Sequence, residues 1–331
     1  MVTMNKYLAV DAGGTSTRAV LVSSSGACLG YGFSGGGNPV SRGFEASAAA
    51  VLEAAEKALS VAGGPVHSAT IAQAGASLQL PSRMLLEGFR RLGVMNDTVT
   101  ESDLLAVFYS GTYQNDGHAL IAGTGAVAAR VQAGRLAAVA DGAGWLLGDS
   151  GAGFWLGREV VRAVAAALDG RGPRTTLTEP LLAELDIHRD TAVGSYGRTG
   201  VLQQLINETY ELAPIELSRF APLVFDAPGD PVAVDIANRA AAALARTLLA
   251  VMEGHPGGPL VFGGSVLVKG GTVAGAVLKK VGLRVPAACP APVLVHDGVV
   301  GAAVLALKRH GVEVDAGVFG RIATSLAALR G

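Results

Sequence analysis

Residues 7–22 read YLAVDAGGTSTRAVLV, which is two apolar runs separated by a turn rich in glycine and threonine. Apolar runs of this length around such a turn predict a β-hairpin. Glycine lets backbone N–H groups come close to an anion, and the hydroxyls of Thr15 and Thr17 can add further donors. Asp11, at the end of the first run, can hold a hydrated Mg²⁺. We therefore expect a phosphate-binding hairpin, with a plain turn and a solvated Asp11 as the alternative.

A second stretch of the same kind is residues 119–131, ALIAGTGAVAARV. Gly123, Gly125 and Ala128 fit the spacing of the dinucleotide-binding fingerprint, but that fingerprint must open a helix. Here the alternating apolar residues after the glycines predict a strand. The chain also lacks the G-x-x-x-x-G-K-[ST] sequence of a Walker-type loop. The sequence therefore predicts a second glycine and threonine hairpin.

The elements around the two hairpins repeat in outline. Strands and helices are predicted in the order β-β-β-α-β-α-β-α up to Tyr109, and a similar order starts again at Ala119. A chain of 331 residues also exceeds the roughly 250–300 that one core usually serves. We expect an α/β fold of two duplicated lobes, 1–117 and 118–310, around a central cleft that binds ligands. The C-terminal segment, 311–331, contains an amphipathic helix that would pack back on the first lobe.

Charge and composition limit the classes of partner and compartment. The net charge of −1 gives no electrostatic reason to expect nucleic acid or an anionic membrane surface. Cys28 and Cys289 form neither a metal motif nor a disulfide framework. No signal peptide is visible before Tyr7, and no apolar run reaches the roughly 20 residues that span a bilayer. We expect a cytoplasmic protein without membrane or nucleic-acid partners; a homodimer is left open.

Three further motifs occur in order with the hairpins. They are Glu101-Ser102-Asp103 after a predicted strand, residues 148–155 (GDSGAGFW) before a helix, and residues 262–266 (FGGSV). Together with the hairpins they resemble the N-acetylglucosamine kinase branch of the BadF/BadG/BcrA/BcrD-type ATPases, in the actin/hexokinase-like superfamily. The resemblance runs from about Tyr7 to Leu307. It implies the actin-like ATPase fold, which is ribonuclease H-like.

The resemblance also implies a function and a set of site residues. The expected reaction is ATP-dependent phosphorylation of an amino sugar, first N-acetylglucosamine at its 6-hydroxyl, with glucosamine or glucose as alternatives. MgATP would lie across both hairpins, with Asp11 holding Mg²⁺ through water. The implied ATP- and phosphate-binding residues are Gly13, Gly14, Thr15, Thr17, Gly123, Thr124, Gly125, Gly263, Gly264 and Ser265. The implied substrate-binding residues are Asn38, Ser77, Asp103, Gly144 and Asp149.

Asp103 is the predicted catalytic base. Phosphoryl transfer to an alcohol needs a carboxylate within reach of the attacking hydroxyl, and Asp103 ends a strand and begins an apolar helix. Aspartate is also a favoured helix N-cap, so a capping role stays open. Plain turns are likewise the alternatives for Asn38 and Asp149, and a capped turn is the better interpretation of His296-Asp297.

The chain departs from the family pattern at three places. Ser150 replaces the usual glutamate of the glycine-rich motif, Ala152 replaces its serine, and residues 73–77 read QAGAS where Ser-Gly-Gly is expected. These positions could line the sugar site, so the identity of the sugar stays open.

Two other classes of protein share the resemblance. Activating ATPases of reductases and dehydratases bridge their subunits with an iron–sulfur cluster on cysteines. Cys28 and Cys289 adjoin neither hairpin, which disfavours that class, and a colourless protein would reject it. A sugar-responsive repressor would need a DNA-binding segment, and the sequence predicts none ahead of Tyr7.

Overall fold

The structure, a computed structural model, describes residues 5–61, 64–73, 82–188, 192–193, 197–284 and 290–331. The chain divides into two compact units. Unit 1 comprises Met1–Ala119, Val131–Ala137 and Val295–Gly331, and unit 2 comprises Leu120–Arg130 and Ala138–Leu294.

The first sheet has five strands in the order β3-β2-β1-β4-β5. β1 pairs antiparallel with β2 and parallel with β4, which is itself parallel to β5. Almost every residue of β1 is buried, as expected of a strand with both faces covered. The strands are β1 (Lys6–Ala12), β2 (Thr17–Ser23), β3 (Cys28–Ser34), β4 (Ser68–Gln73) and β5 (Thr98–Ser102).

Six helices accompany this sheet. α2 packs on β1, β2 and β3, α13 packs on β1 and α4, and α14 packs on β3. A hydrogen bond joins α14 to β3: Ser325 Oγ accepts from Cys28 N at 2.9 Å. The helices are α1 (Pro39–Arg42), α2 (Phe44–Leu59), α3 (Ser82–Arg91), α4 (Asp103–Gly111), α13 (Val299–Arg309) and α14 (Ala316–Arg330).

The second sheet repeats the strand order of the first. Its order β10-β9-β6-β7-β8 is the first order read from the other end, with β6 in the place of β1. The predicted α/β fold built on one duplicated unit is therefore confirmed. The strands are β6 (Gly117–Ala122), β7 (Ala126–Gln132), β8 (Arg135–Asp141), β9 (Leu260–Gly263) and β10 (Val293–Val295).

The helices of unit 2 are built around the long α10, which packs on α6, α9 and α12. A 3₁₀ helix, Pro214–Phe220, lies against α6. The helices are α5 (Gly144–Leu147), α6 (Gly153–Leu168), α7 (Thr178–Glu184), α8 (Gly200–Glu211), α9 (Pro222–Asp226), α10 (Pro231–Met252), α11 (Ser265–Val268) and α12 (Val273–Gly282).

One helix predicted from the sequence is wrong. The apolar spacing predicts one helix from Val268 to Lys280, but the structure ends α11 at Val268 and begins α12 at Val273. Gly271 between them has a φ of 58°, which a continuous right-handed helix does not allow. A β-carbon on Gly270 would overlap Val266 O, so this turn needs glycine.

The compact units and the predicted lobes differ over residues 118–119, 131–137 and 295–310, which the sequence assigns to the second lobe. In the structure α13 packs closely on α4: Gly301 N donates to Ser110 Oγ at 2.9 Å, and a β-carbon on Gly301 would overlap Ala106 O. Small residues along α13 therefore tie it to unit 1. The boundaries of the functional lobes stay a prediction.

Within the described ranges, no helix combines the length and the apolar character needed to cross a membrane.

Candidate functional site

The first hairpin joins β1 to β2. Gly13 N donates to Ser16 O at 3.0 Å and closes the turn, which leaves Gly14 and Thr15 exposed at its tip. Thr17 differs from them because it is fully buried, and its hydroxyl donates to Gly35 O at 2.8 Å. Thr17 therefore fixes the hairpin from within the protein, whereas the tip remains accessible.

A segment of three glycines packs against this hairpin. Gly37 N donates to Gly13 O at 2.9 Å, and a β-carbon on Gly36 would overlap Gly14 O. The approach is closer than a residue with a side chain allows, which explains the glycines at 36 and 37.

The same segment is anchored from behind. Gly37 O accepts from Ser47 Oγ at 2.5 Å and from Gln73 Nε2 at 2.7 Å. Gln73 is fully buried, and Asn38, the next residue of the segment, is half-buried. The departure from the family pattern at Gln73 thus has a structural role in holding the backbone beside Asn38.

Asp11 is a buried carboxyl group. Only 7% of its surface is exposed, and Oδ2 accepts a hydrogen bond from Gly298 N, at the start of α13, at 2.8 Å. Burial, followed by the nearby negative charge of Asp297, raises the pKa of Asp11 to about 7, although the Gly298 hydrogen bond and the charge of Arg18 oppose the shift. A cation bound near Asp11 would stabilise the ionised form of this carboxyl group.

Asp297 is the functional residue that sequence reasoning missed. The predicted capped turn is present, because Asp297 Oδ1 accepts from Val299 N at 3.2 Å. The same carboxylate also pairs with Arg18 at 3.3 Å and with Arg330 at 3.1 Å. Its charge acts on Asp11, and only the strand–Asp–helix pattern that it shares with Asp103 could have pointed to it.

Asp103 is the first residue of α4 and is half-buried. The capping role left open for it belongs to Ser102, whose Oγ accepts from Leu104 N at 3.2 Å. Burial raises the pKa of Asp103, and hydrogen bonds from the Leu104 and Asp103 backbone oppose the rise. Asp103 is thus a carboxylate of enhanced basicity that the helix does not need as a cap.

Asp11 and Asp103 meet at one edge of the first sheet. The parallel register aligns Ala12 with Gln73 and Gln73 with Ser102, so β1, β4 and β5 end together. The charge of Asp103 contributes to the raised pKa of Asp11. The structure therefore brings together the two carboxylates that the sequence had singled out separately.

The second hairpin, between β6 and β7, is held mainly through its carbonyl groups. Gly153 N donates to Gly123 O at 2.7 Å and Phe154 N donates to Thr124 O at 3.1 Å, both from the first turn of α6. Gly123 N donates across the turn to Gly125 O at 2.9 Å. Within the described part of the chain, the N–H groups of Thr124 and Gly125 have no hydrogen-bond acceptor. These two donors are available to an anion.

Gly264 packs directly on the base of this hairpin. It has a φ of 88°, and a β-carbon there would overlap the carbonyl group of Ala122 and lie 2.6 Å from Gly123 N. Gly263 before it is buried in β9, and Ser265 after it is exposed at the start of α11. The three predicted nucleotide residues of this motif thus adjoin the predicted phosphate hairpin.

A cavity of about 570 Å³ lies in unit 2 beside the same residues. Thr124 and Ser265 line it on the hairpin side, Phe225 and Val266 supply apolar surface, and Lys269 supplies a positive charge. A volume of this size is typical of small-molecule sites. Glu216, Arg219 and Asp226 also line it, so charges of both signs are present. The combination of an apolar wall and free N–H groups nearby suits a nucleotide.

Substituting Gly264 by alanine is expected to raise the KM for ATP roughly tenfold and to lower the Tm by several degrees. The added β-carbon must displace the start of the second hairpin, and overpacking of this kind costs about 1–3 kcal/mol. Steady-state kinetics at varied ATP and thermal unfolding would measure the two effects.

Gly254→Ala is the matched control for this prediction. Gly254 also has a positive φ, 71°, but nothing lies within 4 Å of the position of its β-carbon. The Gly254→Ala variant therefore has the backbone strain of a positive φ without a steric overlap at the β-carbon. Equal ATP KM values for the two variants would contradict a role of close packing at Gly264.

Residues 144–152 follow β8 and lead into α6. Gly144 is exposed at the start of α5, and Trp145 is 43% exposed with its ring 5.8 Å from that of Phe154. Asp149 is buried, whereas the resemblance assigns it to the sugar. Ala152 is fully buried as well, so this departure from the family pattern does not face a ligand.

Some residues discussed above lie outside the described residues: 74–77 of the departure from the family pattern, which include Ser77, a predicted sugar contact, and Cys289. Cys28 is buried under α14, with Sγ donating to Ile322 O at 3.5 Å.

The chain is similar to several known proteins. Residues 8–306 match the model of the BadF/BadG/BcrA/BcrD ATPase family. An N-acetyl-D-glucosamine kinase of Dictyostelium discoideum is 26% identical over 327 residues, which cover 91% of this chain and 98% of that protein. A glucosamine kinase of Vibrio cholerae, GspK, is 25% identical over 256 residues, 75% of this chain and 81% of that protein.

A solved structure shares the fold. A candidate N-acetylglucosamine kinase from Chromobacterium violaceum superposes with a TM-score of 0.67 at 23% identity, over 92% of this chain and 99% of that one. The likeness extends over nearly the whole of both chains, so the predicted actin-like ATPase fold is confirmed.

Proposed function

Since the chain belongs to the BadF/BadG/BcrA/BcrD ATPase family, we propose that it transfers the γ-phosphoryl group of ATP to an amino sugar, first N-acetylglucosamine at its 6-hydroxyl. The observation that carries the proposal is the repeated glycine and threonine hairpin at the same place in two sheets of one strand order, with the buried carboxyl group of Asp11 and the half-buried one of Asp103 beside the first. The named activities of the two relatives support the same reaction class.

ATP is assigned to unit 2. The free N–H groups of Thr124 and Gly125 suit phosphate oxygens, as backbone donors in glycine-rich turns generally do. The cavity next to them has room for a nucleoside. We assign the adenosine to the surface of Gly263, Gly264 and Ser265.

Mg²⁺ is the metal that the family implies, and the residues present fit it. Asp11 is a buried oxygen donor whose pKa is raised first by burial and then by the negative charge of Asp297. Mg²⁺ bound to proteins usually keeps several of its waters. Asp11 would hold it through water, and when bound it neutralises charge on the phosphates.

Asp103 is proposed as the general base. Its carboxylate would accept the proton of the attacking sugar hydroxyl, and a pKa raised by burial strengthens it for that task. The backbone N–H groups at the start of α4 oppose this rise in pKa, because an anion is favoured at a helix N-terminus.

The sugar contacts rest on the family resemblance. Asn38, held beside the first hairpin by the anchored glycine segment, is the contact that its surroundings support best. Gly144 and Ser77 are further proposed contacts. Glucosamine is the second candidate substrate, because one relative is named as a glucosamine kinase.

An ADP-release assay with a panel of N-acetylglucosamine, glucosamine, glucose and their epimers tests this proposal. We expect ADP release to depend on an amino sugar, with kcat/KM for N-acetylglucosamine above that for glucose. ADP release that no sugar stimulates would overturn the proposal. A preference for glucosamine would keep the reaction and change the substrate.

A further inference from the structure

The carbonyl group between Gly37 and Asn38 accepts hydrogen bonds from two side chains. Ser47 Oγ on α2 donates to Gly37 O at 2.5 Å, and Gln73 Nε2 at the end of β4 donates to the same oxygen at 2.7 Å. Gln73 Nε2 also donates to Ser47 Oγ at 3.4 Å. Both side chains are fully buried. Ser47 and Gln73 thus form a donor pair on one carbonyl oxygen.

This carbonyl group determines where the next residue lies. A peptide unit is planar from the Cα of one residue to the Cα of the following one. The orientation of the Gly37 carbonyl therefore sets the plane that contains the Cα of Asn38. Because one donor comes from a helix and the other from a strand, the donor pair leaves this plane little freedom to rotate.

The backbone of Asn38 is also restricted on its C-terminal side. Pro39 follows it and begins α1, and a proline disfavours the helical conformation for the residue before it. Asn38 O accepts a hydrogen bond from Arg42 N at 3.1 Å, across the first turn of α1. The backbone of Asn38 is therefore held both before and after its Cα.

The other end of the glycine segment, residues 35–37, is bound to the first hairpin. Gly37 N donates to Gly13 O at 2.9 Å, and Thr17 Oγ1 donates to Gly35 O at 2.8 Å. These bonds do not involve the donor pair. Loss of the donor pair should therefore release the Asn38 end of the segment and leave the phosphate-binding hairpin in place.

We propose that Gln73 and Ser47 are positioning residues that set the affinity for the sugar by fixing Asn38 before the sugar binds. The proposal rests on the proposed function in taking Asn38 as a sugar contact. It gives a role in substrate binding to Gln73, where the chain departs from the family pattern. A contact that is correctly placed for only part of the time lowers the apparent affinity by that fraction.

The test removes the two donors singly and together. Gln73→Met keeps the length of the side chain without its amide, Ser47→Ala removes the hydroxyl, and each single variant leaves Gly37 O with one donor. We expect the sugar KM to rise about fivefold in either single variant and about twentyfold or more in the double variant. The KM for ATP should stay within about threefold of the parent, because the hairpin keeps its own bonds.

Ser34→Ala is the matched control. Ser34 is buried in β3, and its hydroxyl donates to Ala50 O on α2 at 2.7 Å. Its removal costs one buried hydrogen bond to a backbone carbonyl, as Ser47→Ala does, but that bond lies outside the glycine segment. We expect the two variants to lower the Tm by similar amounts and only Ser47→Ala to raise the sugar KM.

Amide hydrogen exchange of the chain without ligands tests the positioning itself. The amide of Arg42 is bound to Asn38 O, so its exchange reports how well Asn38 is held. We expect this amide to exchange faster in Gln73→Met and in the double variant than in the parent. In Ser34→Ala its exchange should equal that of the parent.

An unchanged sugar KM in the double variant would overturn the proposal. An equal rise of the sugar KM in Ser34→Ala, or a matching rise of the KM for ATP, would overturn it as well, because the effect would then be a general distortion. If the double variant does not fold, the single variants decide by the same criteria. Unchanged exchange at Arg42 would contradict the positioning whether or not a sugar is phosphorylated. A parent that phosphorylates no sugar, with the exchange difference present, would refute the proposed function and retain the positioning of Asn38.

Discussion

Asp103→Asn is expected to lower kcat for the best sugar substrate by about 10²–10⁴-fold, the usual contribution of a general base. Asparagine keeps the shape and hydrogen bonding of the side chain but cannot accept the hydroxyl proton. The KM for sugar and the affinity for ATP should change much less, because the other contacts remain. Single-turnover and steady-state kinetics with a thermal melt would measure these quantities together.

Ser102→Ala is the matched control for this variant. Ser102 caps α4, so its removal should cost about 0.5–2 kcal/mol of stability and leave most of the turnover. The pair separates chemistry at Asp103 from capping at its neighbour. If Asp103→Asn retains most of the parent kcat, the assignment of the base is wrong.

Asp11→Asn is expected to reduce turnover at least about a hundredfold and to weaken its dependence on Mg²⁺, because the amide carries no charge for the ion. The same variant should be more stable than the parent at pH 8. Asn can accept the Gly298 hydrogen bond without the cost of a buried charge. Activity and stability thus change in opposite directions.

The pH dependence of this stability follows from the pKa of Asp11. The pKa of about 7 in the folded protein lies above the ordinary 3.8, so the folded state binds the proton more tightly. The raised pKa of Asp11 therefore contributes to the free energy of unfolding. This contribution is fully present below about pH 4 and is lost as the pH rises through about 7. Without metal and nucleotide, the Tm advantage of Asp11→Asn should be large at pH 8 and small at pH 5. An advantage of equal size at both pH values would contradict a raised pKa.

The hairpins were predictable because their signal is local. Apolar strands on either side of a glycine and threonine turn leave few other structures open, and the repeat identifies the duplication. The partners of these hairpins were not predictable. Gly298, which binds Asp11, lies 287 positions further along the chain, and the sequence around it reads only as a capped turn.

Unusual backbone conformations were not predictable from the sequence either. Asp141 and Asp149 have a left-handed φ, and Asp149 N donates a hydrogen bond to the Asp141 carboxylate. The hydrophobic periodicity of the sequence does not reveal this contact. The break at Gly270 and Gly271 was hidden because apolar residues continue at helical spacing through it. In these places close packing of the backbone decided the structure over local propensity.

The most direct test of the central claim is identification of the product formed from ATP, Mg²⁺ and N-acetylglucosamine by ³¹P and ¹H NMR. We predict a sugar monophosphate whose phosphorus couples to the two protons on carbon 6, formed in step with ADP. ADP formation without a phosphorylated sugar, from this or any other amino sugar of the panel, would contradict the assignment of the chain as an amino sugar kinase.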